Sequence, residues 1–454
     1  LTLRFNSKHD VKPWLEVGNN LAYTHTNREA VAEDDEFNGL ILDALLMDPT
    51  TPVVFPNGTL PEFAQEAQNA GNNLIQDGNG NYYGLSDYVK GEIANPVAEL
   101  AVQRGKTKVN NLFGNVYAKL KPVKNFSFTS RVGIDYSEQH FETWYPTFWF
   151  SSERQNSSPN TRDNMDTWYT WLWENFATYE LKFNKHNLSL LAGTSAQSYS
   201  HNYLNTLSGP MFVEDDNYAQ HGSVEIDGKL SGTKEIKNLN SYFGRVSYNF
   251  GGKYLLDVAL RADGSSLFAK DKKWGYFPSV AAGWIVTEEK FFSSGLIDFL
   301  KLRASWGQNG SLSNLGPDQF RSLITTAGIK YPKPGGGFYT GAEPELLANP
   351  ELTWETSEQI DLGFDIRFLK GKLAFSADYY NKKTKDLLTP GSPPLSVGNK
   401  APFVNAGDVV NKGFEFEVDW LEGKGDFKYN IGLNLTTLKN EVTYLNPLLE
   451  RVSG

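Results

Sequence analysis

The stretch from Leu239 to Phe292 constrains the fold most, because apolar and polar residues alternate along it. Gly251 and Gly252 allow the positive φ that a tight turn needs. The run that follows, Leu256–Arg261 (LDVALR), places leucine and valine at every second position, with charges and alanine between them. This period of two predicts a β-strand with one apolar and one polar face.

The polar face decides between two kinds of β-protein. In a dry sandwich core, Asp257 and Arg261 would be buried charges that need partners. In a transmembrane barrel the apolar face meets lipid and the polar face meets a wet lumen, so both charges are accommodated. The strand around Arg131 is also expected to turn its polar face to a wet lumen, since an arginine facing lipid near mid-membrane costs ~2–4 kcal/mol.

Composition excludes several classes of protein. No run approaches the ~20 apolar residues of a membrane helix, although aromatic residues make up 14% of the chain. The net charge of −10 argues against a nucleic-acid partner. With 0 cysteines, neither a disulfide framework nor a thiolate metal site is expected.

The alternation recurs along the chain and predicts about fourteen strands in about seven hairpins. The first hairpin is expected to pair Leu1–Ser7 with Pro13–Asn27 through a turn at Lys8–Asp10. Tight turns alternate with long connections, such as 28–107 and 140–165. The first of these connections is expected to contain one short helix at Asn38–Met47. The pattern predicts an all-β fold, a transmembrane antiparallel β-barrel with short periplasmic turns and long extracellular loops.

Five segments in the second half of the chain carry a family likeness. They are YFGRVSYNFGGKYLLDVALRADGSSLFAKDKKWGYFPSVAAGWIVTEEKFF (Tyr242–Phe292), LKLRASWGQNG (Leu300–Gly310), NPELTWETSEQIDLGFDI (Asn349–Ile366), FSADYYNKKTKDLL (Phe375–Leu388) and NAGDVVNKGFEFEVDW (Asn405–Trp420). In this order they resemble the C-terminal half of the SusC/RagA-like TonB-dependent outer-membrane transporters.

The resemblance implies a 22-stranded barrel closed by an N-terminal plug domain. It also implies a SusD-like surface lipoprotein over the extracellular mouth, and import of oligosaccharide or peptide that is energised through TonB. The plug domain, the TonB-contacting segment and the terminal strands have no counterpart in the pattern. Residues 1–454 are therefore expected to be a partial barrel domain of about fourteen strands.

An aromatic cluster marks a candidate contact site in the second long connection. It consists of Trp144, Tyr145, Phe148, Trp149 and Phe150. Aromatic side chains stack on sugars and are enriched at protein interfaces. The cluster is expected to contact substrate or the lipoprotein, or else to pack one loop against another.

A weaker candidate is a Ca²⁺ loop at Asp77, Asn79 and Asn81, whose oxygens fall at alternate positions. Tyr82 stands where the glycine of an EF-hand loop belongs, and Tyr88 occupies the twelfth position in place of glutamate. A plain Asn/Gly turn is the competing interpretation.

The sequence thus predicts an outer-membrane nutrient importer without a cofactor or catalytic site of its own. The 6 histidines lack metal-ligand spacing, and no G-x-S-x-G elbow occurs. A passive porin-like channel, an outer-membrane barrel enzyme and a soluble multi-sheet binding protein are the alternatives.

Overall fold

The computed structural model describes the chain except residues 30–38, 56–58, 90, 92, 103–104, 216–228, 313–314, 327, 394, 425 and 447–454. The helices and strands follow one another as β1 (Thr2–Lys12), β2 (Leu15–Arg28), α1 (Leu40–Leu46), α2 (Glu62–Asn69), α3 (Pro96–Val102), β3 (Gly105–Leu120), β4 (Phe126–Tyr145), β5 (Phe148–Trp149), β6 (Gln155–Asn156), β7 (Asn160–Phe183), β8 (His186–Ser208), β9 (Lys229–Phe250), β10 (Tyr254–Ser265), β11 (Trp274–Ile285), β12 (Ile297–Ser311), β13 (Ile324–Thr325), β14 (Lys330–Pro332), β15 (Phe338–Thr340), β16 (Glu343–Pro344), β17 (Glu355–Phe368), β18 (Leu373–Lys385), β19 (Leu388–Pro390), β20 (Phe403–Asn405), β21 (Gly407–Lys424), β22 (Phe427–Thr436) and β23 (Lys439–Leu445). No helix in the described part of the chain is long and apolar enough to cross a membrane.

One antiparallel sheet contains all the long strands, in the order β1-β2-β3-β4-β7-β8-β9-β10-β11-β12-β17-β18-β21-β22. Each strand pairs with the next long strand of the chain, so the sheet is a continuous meander. β23 also pairs with β21, and its first residues keep the register of β22. β22 and β23 are therefore one strand interrupted near Thr437, which confirms the expectation of about fourteen strands.

Register assigns the side chains of the sheet to two chemically different faces. One face carries Leu, Val, Ile, Ala and aromatic residues over the part of the strands nearest to the tight turns. In β10, Leu256, Val258 and Leu260 are on this apolar face, and Asp257 and Arg261 are on the other, polar face. The alternation predicted for this stretch is confirmed, and it extends across the neighbouring strands by pairing.

Some strands are longer than a membrane crossing needs, and the connections at the two ends of the sheet differ in length. β7 and β8 have 24 and 23 residues, more than the ~9–11 residues that cross a bilayer. One end carries mainly tight turns, such as the two residues between Phe183 and His186, and the other carries the long loops. A transmembrane barrel shows this asymmetry, with its long loops on the extracellular side.

Two predicted connections have the wrong bounds. β1 continues through Lys8–Asp10 to Lys12 and turns at Pro13-Trp14, because Lys8 and Asp10 both fall on the polar face of the strand. The connection expected at 140–165 shrinks to 146–159, since β4 and β7 pair as far as Tyr145 and Asn160. Polar residues in these stretches are strand residues of a wet wall rather than loop residues.

The first long connection is a small folded unit instead of an irregular loop with one helix. The helix expected at Asn38–Met47 is present as α1 over Leu40–Leu46, while Asn38 lies outside the described residues; α2 and α3 follow it. Apolar side chains from this connection form a core together with residues of the next loop. We call this unit, residues 39–102 with 147–156, the loop bundle.

Candidate functional site

Charged side chains on the polar face pair across neighbouring strands. Arg303 of β12 donates from Nε and Nη2 to both oxygens of Asp365, each at 2.9 Å. It also donates from Nη1 and Nη2 to Asp378 of β18, at 2.8 and 2.9 Å. The three side chains are between one fifth and one third exposed. Charge-assisted, bidentate bonds of this kind fix the arginine in one geometry.

A glycine makes this triad possible. Arg303 pairs with Gly363 of β17, and Gly363 pairs with Asp378. A Cβ at position 363 would lie 1.9 Å from Oδ1 of Asp378. Because Gly363 has no side chain, there is room above it for the guanidinium of Arg303 to contact the carboxylate of Asp378, two strands away.

Two further pairs continue the pattern across the sheet. Arg245 of β9 donates to both oxygens of Asp257 on β10, at 2.6–2.9 Å, and Ser247 donates to the same carboxylate at 2.6 Å. On β4, Arg131 donates from Nε to Glu174 of β7 at 2.9 Å. Charges of both signs thus lie across the polar face from β4 to β18.

Two of these charged groups of residues border two adjoining cavities of about 580 and 700 Å³: Arg303 and Asp378 line the first, and the Arg245–Asp257 pair lines both. Arg245, Asp257 and Asp361 contribute to both. Serine, asparagine and glutamine side chains lie between the charges. Such a wall offers hydrogen-bond donors and acceptors to a polar solute and keeps its own charges compensated.

The loop bundle lies at the end of the sheet that carries the long loops. Its core joins Phe55, Leu74 and Leu85 to Phe150 of the following loop. Asn95 supports the bundle by donating from Nδ2 to the carbonyl oxygens of Val53 and Gly84, at 2.8 and 3.1 Å. Two connections that are separate in sequence are therefore one structural unit.

The aromatic cluster expected as a contact site is divided between two environments. Phe148 and Phe150 lie 4.9 Å apart between ring centroids and pack against the bundle core with Trp149. Trp144 is on β4 and packs with Met211, whereas Tyr145 remains 38% exposed. The structure brings three of the five together and favours packing of loop on loop for these three. Contact with substrate or lipoprotein stays a prediction.

The third long loop also contacts this region. The carboxylate of Glu214 accepts a hydrogen bond from the backbone N–H of Thr147 at 2.5 Å and bonds from its hydroxyl at 2.8 and 3.0 Å. This contact could not be predicted from the sequence, because an acidic run in a loop is usually solvated.

The candidate Ca²⁺ loop is closed by its own hydrogen bonds. Oδ1 of Asp77 accepts from the backbone N–H groups of Asn79 and Asn81, both at 2.8 Å. These bonds, that of Asn81 first, lower the pKa of the Asp77 carboxyl. The geometry is that of an Asx turn. Within the described residues, no group of three or more His, Cys, Asp or Glu is placed to hold a metal ion, and Ca²⁺ binding by Asp77, Asn79 and Asn81 stays a prediction.

A buried ionic triad inside the loop bundle was not foreseen from the sequence. Asp43 of α1 and Glu99 of α3 both face Arg154, which lies between β5 and β6. Nη2 of Arg154 donates to Oε1 of Glu99 at 2.5 Å. The only sequence signal for this triad is a carboxylate on the apolar side of a short helical pattern, as at Asp43 in α1 and Glu99 in α3.

Four of the described histidines, His25, His140, His186 and His201, contact ordinary polar neighbours. Nε2 of His201 lies 2.7 Å from Asp166, and Nδ1 of His186 lies 2.7 Å from the Tyr248 hydroxyl. Neither arrangement includes a serine nucleophile. His221 lies outside the described residues.

Comparison with known proteins gives the class to which this architecture belongs. A family model of TonB dependent receptor-like β-barrels matches residues 10–451. TonB-dependent receptor P26 of Formosa agariphila is 29% identical over 385 residues, which are 81% of this chain and 37% of that protein. TonB-dependent receptor SusC of Bacteroides thetaiotaomicron is 28% identical over 363 residues, 77% of this chain and 35% of that protein.

A solved structure of the RagAB peptide transporter superposes with a TM-score of 0.78 at 19% identity, covering 97% of this chain and 46% of that one. This structural match confirms the barrel fold, and the family model together with the similarity to SusC confirms the SusC/RagA-like resemblance. The chain belongs to the TonB-dependent receptor-like β-barrel family, whose members are outer-membrane proteins of Gram-negative bacteria. It spans about a third of the length of these curated relatives, both of which are named TonB-dependent receptors.

Proposed function

We propose that this chain is the partial barrel domain, residues 1–454, of a SusC-like importer of nutrients in the outer membrane. The full-length protein takes up oligosaccharide or peptide with energy supplied through TonB, and performs no chemistry on its cargo. The separation of the two faces of the sheet is the observation that carries the proposal. It gives a lipid-facing apolar surface and a hydrated wall of compensated charges around the passage.

The polar face fits transport better than catalysis. Arg303, Arg245 and Arg131 are held by carboxylates in fixed geometry. A catalytic site needs a nucleophile or an acid–base pair with open access to the substrate. A wall of paired charges instead offers weak, repeated contacts, and a solute can leave such contacts as readily as it enters.

The extracellular end fits a second protein. We expect a SusD-like surface lipoprotein to cover the mouth, with the loop bundle and Tyr145 among the contacting parts. TonB would act through an N-terminal plug region of the full-length protein. The lipid bilayer contacts the apolar face, and no nucleic acid takes part.

Uptake in cells tests the proposal. Labelled oligosaccharides and labelled peptides are offered to cells that express the full-length protein, in a strain with TonB and in one without it. Import of one cargo class that requires both the protein and TonB supports the proposal. Accumulation that is equal in the two strains would show a passive porin-like channel instead.

A further inference from the structure

The buried triad of the loop bundle carries an unbalanced charge. Two carboxylates, Asp43 and Glu99, face one guanidinium, and the exposed fractions of the side chains of Asp43, Glu99 and Arg154 are 0%, 10% and 12%. With all three groups ionised, the triad would hold one net negative charge away from water. A buried, uncompensated carboxylate usually takes up a proton instead of remaining charged.

Two carboxylate oxygens indicate where this proton lies. Oδ2 of Asp43 is 3.3 Å from Nη1 of Arg154 but forms no hydrogen bond with it. Oδ2 of Asp43 and Oε2 of Glu99 are both buried, and neither has a hydrogen-bond partner among the residues that the structure describes. Buried polar atoms are rarely left without a partner. One proton between these two carboxyl groups gives each of them the missing bond.

We propose that Asp43 and Glu99 share one proton, and that this proton holds α1 against α3 and the Arg154 segment. Loss of the proton then loosens the loop bundle at the extracellular mouth. The groups that face Asp43 are Glu99 from α3, Arg154 from the segment between β5 and β6, and the backbone N–H of Ala94. Glu153 points elsewhere, toward Gly91.

The direction of the pH dependence follows from the environment of Asp43. Burial, reinforced by the neighbouring Glu99 carboxyl, raises the pKa of Asp43 from 3.8 to about 7. In the opened bundle the carboxyl regains its ordinary pKa, so opening releases a proton at any pH between these two values. The stability of the bundle therefore falls as pH rises from about 4 to about 7 and changes no further above that.

Hydrogen–deuterium exchange of the full-length protein in detergent tests the shared proton. Peptides that cover 40–46 and 96–102 are followed at several pH values between 5 and 8, corrected for the intrinsic exchange rate. We expect protection in the wild type to fall about fivefold or more from pH 5 to pH 7.5, within the limit of about tenfold per pH unit for one proton. D43N, which cannot ionise, is expected to show no such dependence.

The matched control is Glu66→Gln on the exposed side of α2, which makes the same chemical change and should keep the wild-type profile. A flat wild-type profile, or D43N with the wild-type slope, would overturn the proposal. Exchange of the bundle is measured without transport, so this result does not depend on whether the protein imports nutrients.

Infrared spectroscopy covers the case in which D43N fails to fold. The wild type at pH 6 should show the carbonyl stretch of a buried protonated carboxyl. This band should disappear in E99Q, because Asp43 beside Arg154 then ionises without a second carboxylate. Absence of the band in the wild type contradicts a shared proton.

Discussion

The guanidinium group of Arg303 reaches across Gly363 to the carboxylate of Asp378, two strands away, with both Nη atoms at 2.8 and 2.9 Å. Because position 363 has no side chain, strands β12, β17 and β18 are tied together on the polar face by one cation. The pairing of charges on this part of the barrel wall therefore depends on a glycine at position 363.

Gly363→Ala should break this tie. The new Cβ would meet Oδ1 of Asp378 at 1.9 Å, so Asp378 turns away and loses its bonds to Arg303. We expect a loss of about 1–3 kcal/mol in the free energy of unfolding, measured by urea unfolding of the barrel in lipid vesicles. Gly133→Ala is the control, because its Cβ would meet nothing closer than 3.6 Å. Equal stability of the two variants would contradict the role assigned to Gly363.

An arginine on either side of one strand tests the assignment of the two faces. Val280→Arg places the charge in lipid and should cost about 2–4 kcal/mol near mid-membrane. Ala281→Arg places it on the polar face, where position 281 pairs with Asp257 beside a cavity of about 580 Å³. We expect Ala281→Arg to assemble in the outer membrane and Val280→Arg to assemble poorly, as judged by heat-modifiable migration in gels. The reverse order would invert the faces.

Phe150→Ala should release the loop bundle while leaving the barrel intact. Phe150 is 7% exposed and joins the second connection to the core of the first, and removing a buried phenylalanine costs about 3–5 kcal/mol. Limited proteolysis should then cut between residues 59 and 102 in the variant. Tyr145→Ala, which removes a partly exposed ring, should leave the cutting pattern unchanged, and identical patterns for all three proteins would contradict the bundle.

Asp48 should give the loop bundle a pH dependence of opposite sign to that of Asp43. Ser86 donates to Oδ2 at 2.5 Å, and Thr50 and Thr51 donate to the same carboxylate. These bonds, that of Ser86 first, hold the pKa of Asp48 below its ordinary 3.8. The stabilisation is therefore present above about pH 4 and is lost as pH falls below it.

After correction for the intrinsic exchange rate, exchange of peptides around residues 48–55 should rise as the wild type is acidified from pH 5 to 3. D48N should exchange fast at pH 5 already, whereas Glu62→Gln on α2 should match the wild type. Unchanged protection in D48N at pH 5 would show that the carboxylate does not hold the turn.

The sheet could be predicted from the sequence because its period of two is local. Leu256, Val258 and Leu260 mark a lipid-facing row whether or not the neighbouring strands are known. The wall above the membrane was harder to predict. Around Asp163 both faces of the strand are polar, and such a composition predicts a loop.

The candidate site depended on contacts that no local pattern encodes. Arg154 meets Asp43 and Glu99 from far away in the chain, and Gly363 matters only through the residues that flank it in the sheet. The aromatic cluster was recognised by composition, but which of its members are buried depended on the folding of the preceding connection, where two of three helices were missed. Short helices without strong caps, such as α3, give a weak sequence signal.

The mass of the native complex shows whether this chain is part of a larger importer with a bound lipoprotein. The full-length protein is extracted from outer membranes in mild detergent and weighed by native mass spectrometry. We expect a subunit well above the 50.8 kDa of this chain, consistent with a plug and further strands, together with a bound lipoprotein. A lone subunit of 50.8 kDa without a lipoprotein would contradict import driven by TonB.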